Sequence, residues 1–247
     1  MKRTLCAVGV GALCLAWASL VLAKCGKVCK ASLKREFQAD KAACRAALHP
    51  IPPDCGRTTT TAMCGLPATG QTTCWNTSGT VTPCPGTGQD GDRRAGAALA
   101  YMDNGDGTLT DVNTGLMWEK QSNGDGSVHN EYNVYVWDDA FSFHVAQLNS
   151  GSFAGHTDWR VPNVRELASI VNYENAGSPL VSPAFNNNCI SPCTVLTCSC
   201  TQAGVYWSSS SDASGPQAAW SVYFDAGYVL QNPKTGASYV RAVRGGS

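Results

Sequence analysis

Four cysteines lie within one string of 12 residues, CISPCTVLTCSC, and could either bind a metal ion or form two disulfides. A zinc site needs four thiolate or imidazole ligands, and no histidine lies near Cys189, Cys193, Cys198 and Cys200 to complete a mixed site. Disulfides are favoured in a protein that folds in an oxidising compartment. The N-terminal sequence predicts such a compartment, so we predict two disulfides here and no zinc site.

A second pair of cysteines flanks a turn. The strings TTCWN (72–76) and TVTPC (80–84) have the composition of short strands, and Thr77-Ser78-Gly79 between them favours a turn. Cys74 and Cys84 each lie five residues from Gly79. A symmetrical hairpin would place the two cysteines opposite each other, within reach of a disulfide, and we predict that bond.

The first 23 residues have the pattern of a secretory signal peptide. Lys2 and Arg3 precede an apolar run of 18 residues (5–22), and Ala23 supplies the small residue that signal peptidase prefers. An uncleaved N-terminal anchor is the alternative, because 18 apolar residues are just long enough to span a bilayer. Cleavage predicts a secreted, periplasmic or cell-envelope protein with no membrane span in its remainder.

The cysteine count agrees with export. The chain has 13 cysteines, and removing Cys6 and Cys14 with the signal peptide leaves 11. This density is useful in an oxidising compartment, where cross-links restrict the unfolded chain. Eleven is an odd number, so at least one thiol is free, is paired between chains or is bound to another group.

Charge changes sign along the chain. Residues 24–50 carry seven basic and two acidic side chains, a net +5, whereas residues 103–247 carry six basic and 13 acidic side chains, a net −7. A protein that binds nucleic acid needs a basic surface on its main domain. The acidic C-terminal region therefore argues against a nucleic-acid partner, and we interpret the basic segment as a solvated surface.

Composition divides the chain after residue 23 into three regions. Residues 24–50 are rich in Ala, Lys and Leu and predict a basic, cysteine-containing helical segment. Residues 51–100 are rich in Thr, Gly and Pro and predict a linker of loops and one hairpin, cross-linked by disulfides. Residues 101–247 predict one α+β domain, because strand, helix and then further strand patterns follow one another.

Several elements of this domain have clear signals. Strand patterns at 107–111 and 115–119 flank a turn, and further strand patterns occupy 205–208, 219–224, 228–230 and 239–243. Trp137, Phe141, Val145 and Leu148 recur at helical spacing. Asn163, with Glu166 three residues later, predicts a capping box that starts a second helix.

Two NGDG strings, at 104–107 and 123–126, suggest calcium loops at first sight. A calcium loop needs several oxygen ligands at alternating positions and usually a distal Glu, and both strings lack this pattern. Tight turns explain them better. The Pro162-Asn163 pair suggests a calcium-dependent sugar site, but Val161 stands where an oxygen ligand would be needed. We predict no metal and no cofactor.

Aromatic and charged residues of the domain are open to a structural or a binding interpretation. Its tryptophans could stack against sugars, but they lie inside the strings that build the predicted elements, and we favour core packing. Arg160, beside Asp158 and Glu166, predicts a structural ion pair. The tryptophans in question are Trp118, Trp137, Trp159, Trp207 and Trp220.

No catalytic residue is predicted. His129, His144 and His156 are scattered along the sequence, and no Ser or Cys has the context of an activated nucleophile. The composition therefore favours a non-enzymatic protein, whose ligand-binding residues the sequence leaves unassigned.

Six strings of the domain, taken in order, resemble one family. They are DNGDGTLTDVNTGLMWEK (103–120), WDDA (137–140), DWRVPNVREL (158–167), YWSS (206–209), AW (219–220) and YVRAVRGG (239–246). Together they resemble the Lcl C-terminal domain family, named after the domain that ends a bacterial collagen-like surface protein and formerly a domain of unknown function.

This resemblance implies a C-type-lectin-like fold and adhesion to carbohydrate, including sulfated polysaccharide, although the −7 charge disfavours a sulfated ligand. The string DWRVPNVREL is also similar to a helix start in formylglycine-generating-enzyme-like domains, which implies an alternative, an oxidoreductase with copper on a cysteine pair. A purely structural envelope protein is a third possibility. We expect an exported, adhesin-like module that binds glycans or an envelope or surface partner.

Overall fold

Most of the regular structure consists of antiparallel strands. Most of these strands pair with the strand that comes next in the sequence. The computed structural model describes residues 66–245. The predicted signal peptide (1–23), the basic helical segment (24–50) and the first part of the linker lie outside the described residues. In chain order the described strands are β1 (Cys74–Trp75), β2 (Val81–Thr82), β3 (Tyr101–Asp103), β4 (Thr108–Asp111), β5 (Met117–Glu119), β6 (Val205–Ser211), β7 (Ala218–Tyr223), β8 (Tyr228–Pro233) and β9 (Val243–Arg244).

The helices between these strands are short. They are α1 (Asp90–Arg93), α2 (Trp137–Asp139), a π-helix (Ala140–Val145), α3 (Ala146–Ser150) and α4 (Val164–Ala168), with 3₁₀ turns at Phe153–Gly155 and Pro183–Phe185. Strands paired mainly antiparallel, with a few short helices, confirm the predicted α+β class. No helix of the described range 66–245 is both long and apolar enough to cross a membrane.

Two sheets frame the domain in the described range. The first has the order β3-β4-β5-β9, so the last strand of the chain closes onto β5 through the pairs Met117–Arg244 and Trp118–Val243. The second has the order β6-β7-β8. The predicted strands at 107–111 and 115–119 correspond to β4 and β5, and the chain turns between them at 112–114.

Side chains from both sheets meet in a first core, and the helical run 137–150 contributes to a second. Trp118 from β5 and Tyr206 from β6 meet Leu167 of α4 and Phe185 in the first core. Trp159 and Trp207 pack with Leu148 in the second. Buried tryptophans and leucines of this kind each stabilise the folded state by about 1.5–3 kcal/mol through removal of apolar surface from water.

The helix predicted from Trp137, Phe141, Val145 and Leu148 is present, but its buried face differs from the expected one. The run changes to a π-helix at Ala140–Val145, and its buried residues are Ala140, His144, Val145 and Leu148. A π-turn contains one extra residue, so the side chains on either side of it no longer follow a single 3.6-residue period. This brings His144 into the interior.

The hairpin of the linker forms with a different register from the symmetrical one predicted. Cys74 lies opposite Thr82, and Trp75 lies opposite Val81, so the turn is centred one residue earlier than Gly79. Cys84 lies two residues beyond the pairing partner of Cys74, and the two cysteines are disulfide-bonded with their Cα atoms 5.2 Å apart. The predicted bond is therefore confirmed, although the cysteines are not a directly opposed pair.

One carboxylate of the domain binds the linker at two successive residues. Glu174 accepts hydrogen bonds from the backbone N–H groups of Thr72 (2.8 Å) and Thr73 (3.2 Å) and from both threonine hydroxyls. These hydrogen bonds, the one from the Thr73 hydroxyl above all, lower the pKa of Glu174 to about 2. The hairpin thus contacts the domain through hydrogen bonds as well as being cross-linked within itself.

Candidate functional site

The five tryptophans of the domain differ in how deeply they are buried. Trp118, Trp159 and Trp207 are buried in the two cores. Trp137 and Trp220 are only partly buried. The Nζ of Lys234 lies 3.9 Å from the ring centroid of Trp137, and the indole N–H donates to the Ser208 carbonyl at 2.9 Å. These contacts tie Trp137 into the fold and leave it poorly suited as an open platform for a sugar.

Arg160, Asn163 and Glu166 form one arrangement at the start of α4. The Arg160 guanidinium binds both carboxylate oxygens of Glu166 at 2.7 Å, and Glu166 also accepts the Asn163 backbone N–H at 2.8 Å. The Asn163 side chain accepts from the backbone N–H of Glu166, which completes the predicted capping box. Asp158 pairs instead with Arg244, at 2.7 Å. Every group of this arrangement has a structural partner.

The cysteine string forms two disulfides whose sulfur atoms lie together. Cys189 is bonded to Cys200, and Cys193 is bonded to Cys198. The Sγ atoms of Cys193 and Cys200, which belong to different disulfides, are 3.9 Å apart. Cys193, Cys198 and Cys200 are buried, whereas Cys189 is partly exposed. The prediction of two disulfides in this string is confirmed.

The same sulfur atoms are the candidate ligands for a metal. Within residues 66–245, Cys193, Cys198 and Cys200 form a group whose ligand atoms all lie within 4.8 Å of one another. Metal binding requires thiolates, and here each of the three sulfur atoms is oxidised in a disulfide. In this state the group does not offer thiolate ligands to zinc or copper.

Two of the histidines that are far apart in the sequence meet on one buried carboxylate. His129 Nδ1 lies 2.7 Å and His144 Nε2 lies 2.9 Å from the two carboxylate oxygens of Glu119, which also accepts the Ala242 backbone N–H at 2.9 Å. Burial alone would raise the pKa of Glu119, but the charge of His144 and the hydrogen bonds from both imidazoles outweigh it and hold that pKa well below its usual range.

A buried arginine, Arg241, binds the backbone of β5 at Glu119, the residue that carries this carboxylate. The Arg241 guanidinium donates to the Glu119 carbonyl at 2.7 Å, to the Gln121 side chain at 3.0 Å and to the Cys200 carbonyl. Arg241 is fully buried, and burial lowers its pKa. These bonds connect the C-terminal segment to β5 and to the disulfide cluster, and they point to a structural role.

An exposed tyrosine patch, defined as Tyr173, Tyr223, Asp225 and Tyr228, lies at the turn between β7 and β8. Tyr223 and Tyr228 are cross-strand partners whose rings are 5.5 Å apart in an edge-to-face arrangement. The Tyr173 hydroxyl donates to the Gly227 carbonyl, which brings the third ring to the same turn. Tyr173 is 44% exposed and Tyr228 is 51% exposed.

The polar group of the tyrosine patch is Asp225. One of its carboxylate oxygens accepts from the Tyr223 hydroxyl at 2.9 Å, and the other accepts from the Ser178 hydroxyl. These two bonds lower the pKa of Asp225, with the Ser178 bond contributing most, and the bond to Asp225 raises the pKa of Tyr223. A carboxylate has about four lone-pair positions, so Asp225 can accept further hydrogen bonds from a ligand.

Neither the tyrosine patch nor the pair of histidines on Glu119 was predicted from the sequence. Tyr173 lies 50 residues before Tyr223, and Glu119 lies 25 residues before His144, so no local spacing marks either set. One usable signal was the pair of tyrosines that bracket Phe224–Gly227, since a hairpin places such residues on the same face.

The family model of the Lcl C-terminal domain matches residues 107–244. No curated protein matches the chain.

Proposed function

The chain belongs to the Lcl C-terminal domain family, and we propose that it is an exported, non-enzymatic module that binds a glycan of a cell envelope or surface through the tyrosine patch. The observation that carries this proposal is the presence of three tyrosines at the β7–β8 turn, two of them about half exposed, beside the exposed carboxylate of Asp225, which Tyr223 contacts.

The chemistry of the tyrosine patch suits a sugar ring. The C–H bonds on one face of a pyranose are weakly positive and pack well against the negative face of an aromatic ring. Sugar hydroxyls can donate to Asp225, and hydrogen bonds to a charged acceptor are the stronger kind. Tyrosine also loses little conformational entropy when it is immobilised, since it has two side-chain torsions.

The charge of the patch favours a neutral glycan. Asp225 is its one carboxylic acid, and neither Lys nor Arg is among its four residues. A sulfate or carboxylate on the ligand would be repelled by Asp225 and by the net −7 of residues 103–247. We therefore propose recognition of neutral sugars rather than sulfated polysaccharide.

Export is part of the proposal. Three disulfides within residues 66–245 support an oxidising compartment, since such bonds are rare in reducing cytosol. The signal-peptide pattern of residues 1–23 supports the same compartment. Both features support the secreted, periplasmic or cell-envelope location that we propose.

A C-type-lectin-like fold is also proposed for the domain. The resemblance to the family implies it, and two antiparallel sheets joined by short helices are compatible with it. Fold alone does not carry the function, because one fold hosts many activities.

The test is a glycan array probed with the chain beginning at Lys24 and produced with intact disulfides. We expect binding to neutral glycans that changes little between low and physiological salt, because an uncharged ligand has no ion pair to screen. A silent array, together with copper binding and turnover of a thiol substrate that is lost in Cys193→Ser, would favour the oxidoreductase alternative instead.

A further inference from the structure

We propose that the two disulfides of the cysteine string act as a thiol relay: an external thiolate that opens Cys189–Cys200 at the surface causes Cys200 to attack Cys193 and release Cys198 in the interior. The partner is a small thiol of the compartment to which the protein is exported. Glutathione serves as the test thiol. This activity is separate from glycan binding, since it uses none of the tyrosine-patch residues.

Geometry supports the internal step. Thiol–disulfide exchange proceeds by attack of a thiolate on a disulfide sulfur. The Sγ atoms of Cys193 and Cys200 are 3.9 Å apart, close to van der Waals contact, although they belong to different bonds. The sulfur freed from Cys189 is therefore already adjacent to the next disulfide.

The backbone on each side of this contact is held independently of the disulfides. Cys193 exchanges two backbone hydrogen bonds with Asn123, at 2.9 and 3.1 Å, and the Cys200 N–H donates to the Gln121 carbonyl at 2.9 Å. Residues 121–123 thus act as a fixed support for both cysteines. We expect the 3.9 Å contact to persist when the Cys189–Cys200 bond opens.

Exposure gives the relay a direction. Cys198 and Cys200 are fully buried and Cys193 is nearly so, whereas Cys189 is partly exposed. An external thiolate reaches Cys189 first. At the other end, the Cys198 Sγ lies 3.2 Å from the Thr194 carbonyl, so a Cys198 thiol has an acceptor for its proton.

A positive group binds the backbone of Cys200. Arg241 donates to the Cys200 carbonyl and to the Thr201 hydroxyl, and it is fully buried. A nearby guanidinium favours the thiolate form of a cysteine, which is the form that attacks. Cys200, whose own carbonyl accepts a hydrogen bond from this guanidinium, is the cysteine that we expect to carry the transient negative charge.

The steps balance. The glutathione thiolate forms a bond to Cys189 Sγ, the Cys189–Cys200 bond breaks, and its electron pair leaves on Cys200. The Cys200 thiolate then forms a bond to Cys193 Sγ, the Cys193–Cys198 bond breaks, and the electron pair leaves on Cys198, which takes a proton from water. One external thiol is consumed, one protein thiol appears, and no net oxidant or reductant is needed beyond glutathione.

The test is a trapping experiment on the disulfide-intact protein. It is mixed briefly with reduced glutathione, quenched in acid to stop exchange, unfolded, and labelled with N-ethylmaleimide at mildly acidic pH. Chymotryptic cleavage after Phe185, Leu196 and Tyr206 gives two joined peptides, one with Cys189 and Cys193 and the other with Cys198 and Cys200. Fragmentation at Ser199 separates the last two cysteines and locates the label.

We expect glutathione on Cys189 and the maleimide on Cys198 in most of the trapped product. A label mainly on Cys200, with Cys193–Cys198 intact, would show two independent cross-links and overturn the relay. Absence of glutathione from Cys189 would overturn it as well. In the control variant with Cys193→Ser and Cys198→Ser the label should move to Cys200; if that variant does not fold, the result on the unchanged protein decides.

Discussion

Among single residues, Glu119 combines complete burial with three charge-stabilising partners. His129, His144 and the Ala242 N–H all contact its carboxylate, and together they hold its pKa below the ordinary value. A carboxylate whose pKa is lowered on folding stabilises the protein above its unfolded pKa of about 4.3, and that stabilisation is lost as pH falls through the folded value.

The first prediction concerns this carboxylate. Glu119→Gln leaves two imidazoles facing an amide in a buried site, and we expect a loss of about 3–5 kcal/mol in the free energy of unfolding at pH 7. Because the amide does not titrate, the difference between the two proteins should shrink as pH falls below about 4. Urea unfolding from pH 3 to 7 measures this difference, with Asp138→Asn, at an exposed position, as the control. Parallel profiles of unfolding free energy against pH for Glu119→Gln and the unchanged protein would contradict the account.

The second prediction compares the stability cost of replacing Trp159 and Asn163, which both have structural roles. Trp159 is buried against Phe153 and donates to its carbonyl at 3.1 Å, so Trp159→Ala should cost about 3–5 kcal/mol. Asn163→Ala removes a cap on a short helix and should cost about 1 kcal/mol. Thermal unfolding measures both changes. Near-zero costs for both, with loss of glycan binding, would make Trp159 a surface platform instead.

Turning to whole elements, the hairpin of β1 and β2 depends on its disulfide. The strands are two residues each, and an isolated two-stranded hairpin is marginal in water. The disulfide joins Cys74 to Cys84, which are 10 residues apart in the sequence. On the chain-entropy model, closing a loop of this length stabilises the region by about 2–3 kcal/mol.

The third prediction follows from these lengths. In the Cys74→Ser, Cys84→Ser double variant, amide hydrogens of residues 74–82 should exchange faster, while those of β4 and β5 stay protected, because the domain has its own core. Glu174 should keep Thr72 and Thr73 docked, so faster exchange should stop short of them. Global unfolding of the variant would show that the hairpin is integral to the domain fold.

Elements with local signals were predictable from the sequence. Asn163 with Glu166 defines its helix start within four residues, and β4 and β5 flank a turn that their own residues specify. The register of the hairpin was predicted wrongly, because Asn76 bonds to Thr80 and closes the turn one residue early, a detail that spacing about Gly79 does not reveal. The π-helix was not predicted, because it accompanies a contact between residues that are distant in the sequence. His144 of the π-helix reaches Glu119 across the interior.

Sites assembled from distant residues were not predictable. Local spacing does not join Tyr173 to the β7–β8 turn, because its bond to Gly227 depends on how the segment after α4 packs against that turn. The disulfide string was predictable as a cluster because its four cysteines are adjacent in sequence, whereas the pairing and the 3.9 Å contact between the two bonds required the structure.

For the molecule as a whole, charge and aromatic exposure point to the same kind of ligand. Residues 103–247 carry a net −7, and the tyrosine patch presents apolar rings around an acid. An acidic module with exposed tyrosines is suited to neutral hydroxyl-rich ligands, whereas polyanions would be repelled. The hydrogen bonds of Tyr173 to Gly227 and of Tyr223 and Ser178 to Asp225 hold these side chains in place, which limits the entropy lost on binding.

Affinity for a neutral glycan, compared between Tyr228→Ala and Tyr132→Ala, tests this proposal most directly. Tyr132 is 58% exposed and Tyr228 is 51% exposed, so the two variants remove the same side chain from similarly exposed positions inside and outside the tyrosine patch. Using a glycan identified on the array, calorimetric titration should show affinity reduced about tenfold or more in Tyr228→Ala, equivalent to about 1.4 kcal/mol, and unchanged in Tyr132→Ala. Equal affinity in both variants and the unchanged protein would contradict the assignment of the patch as the binding site.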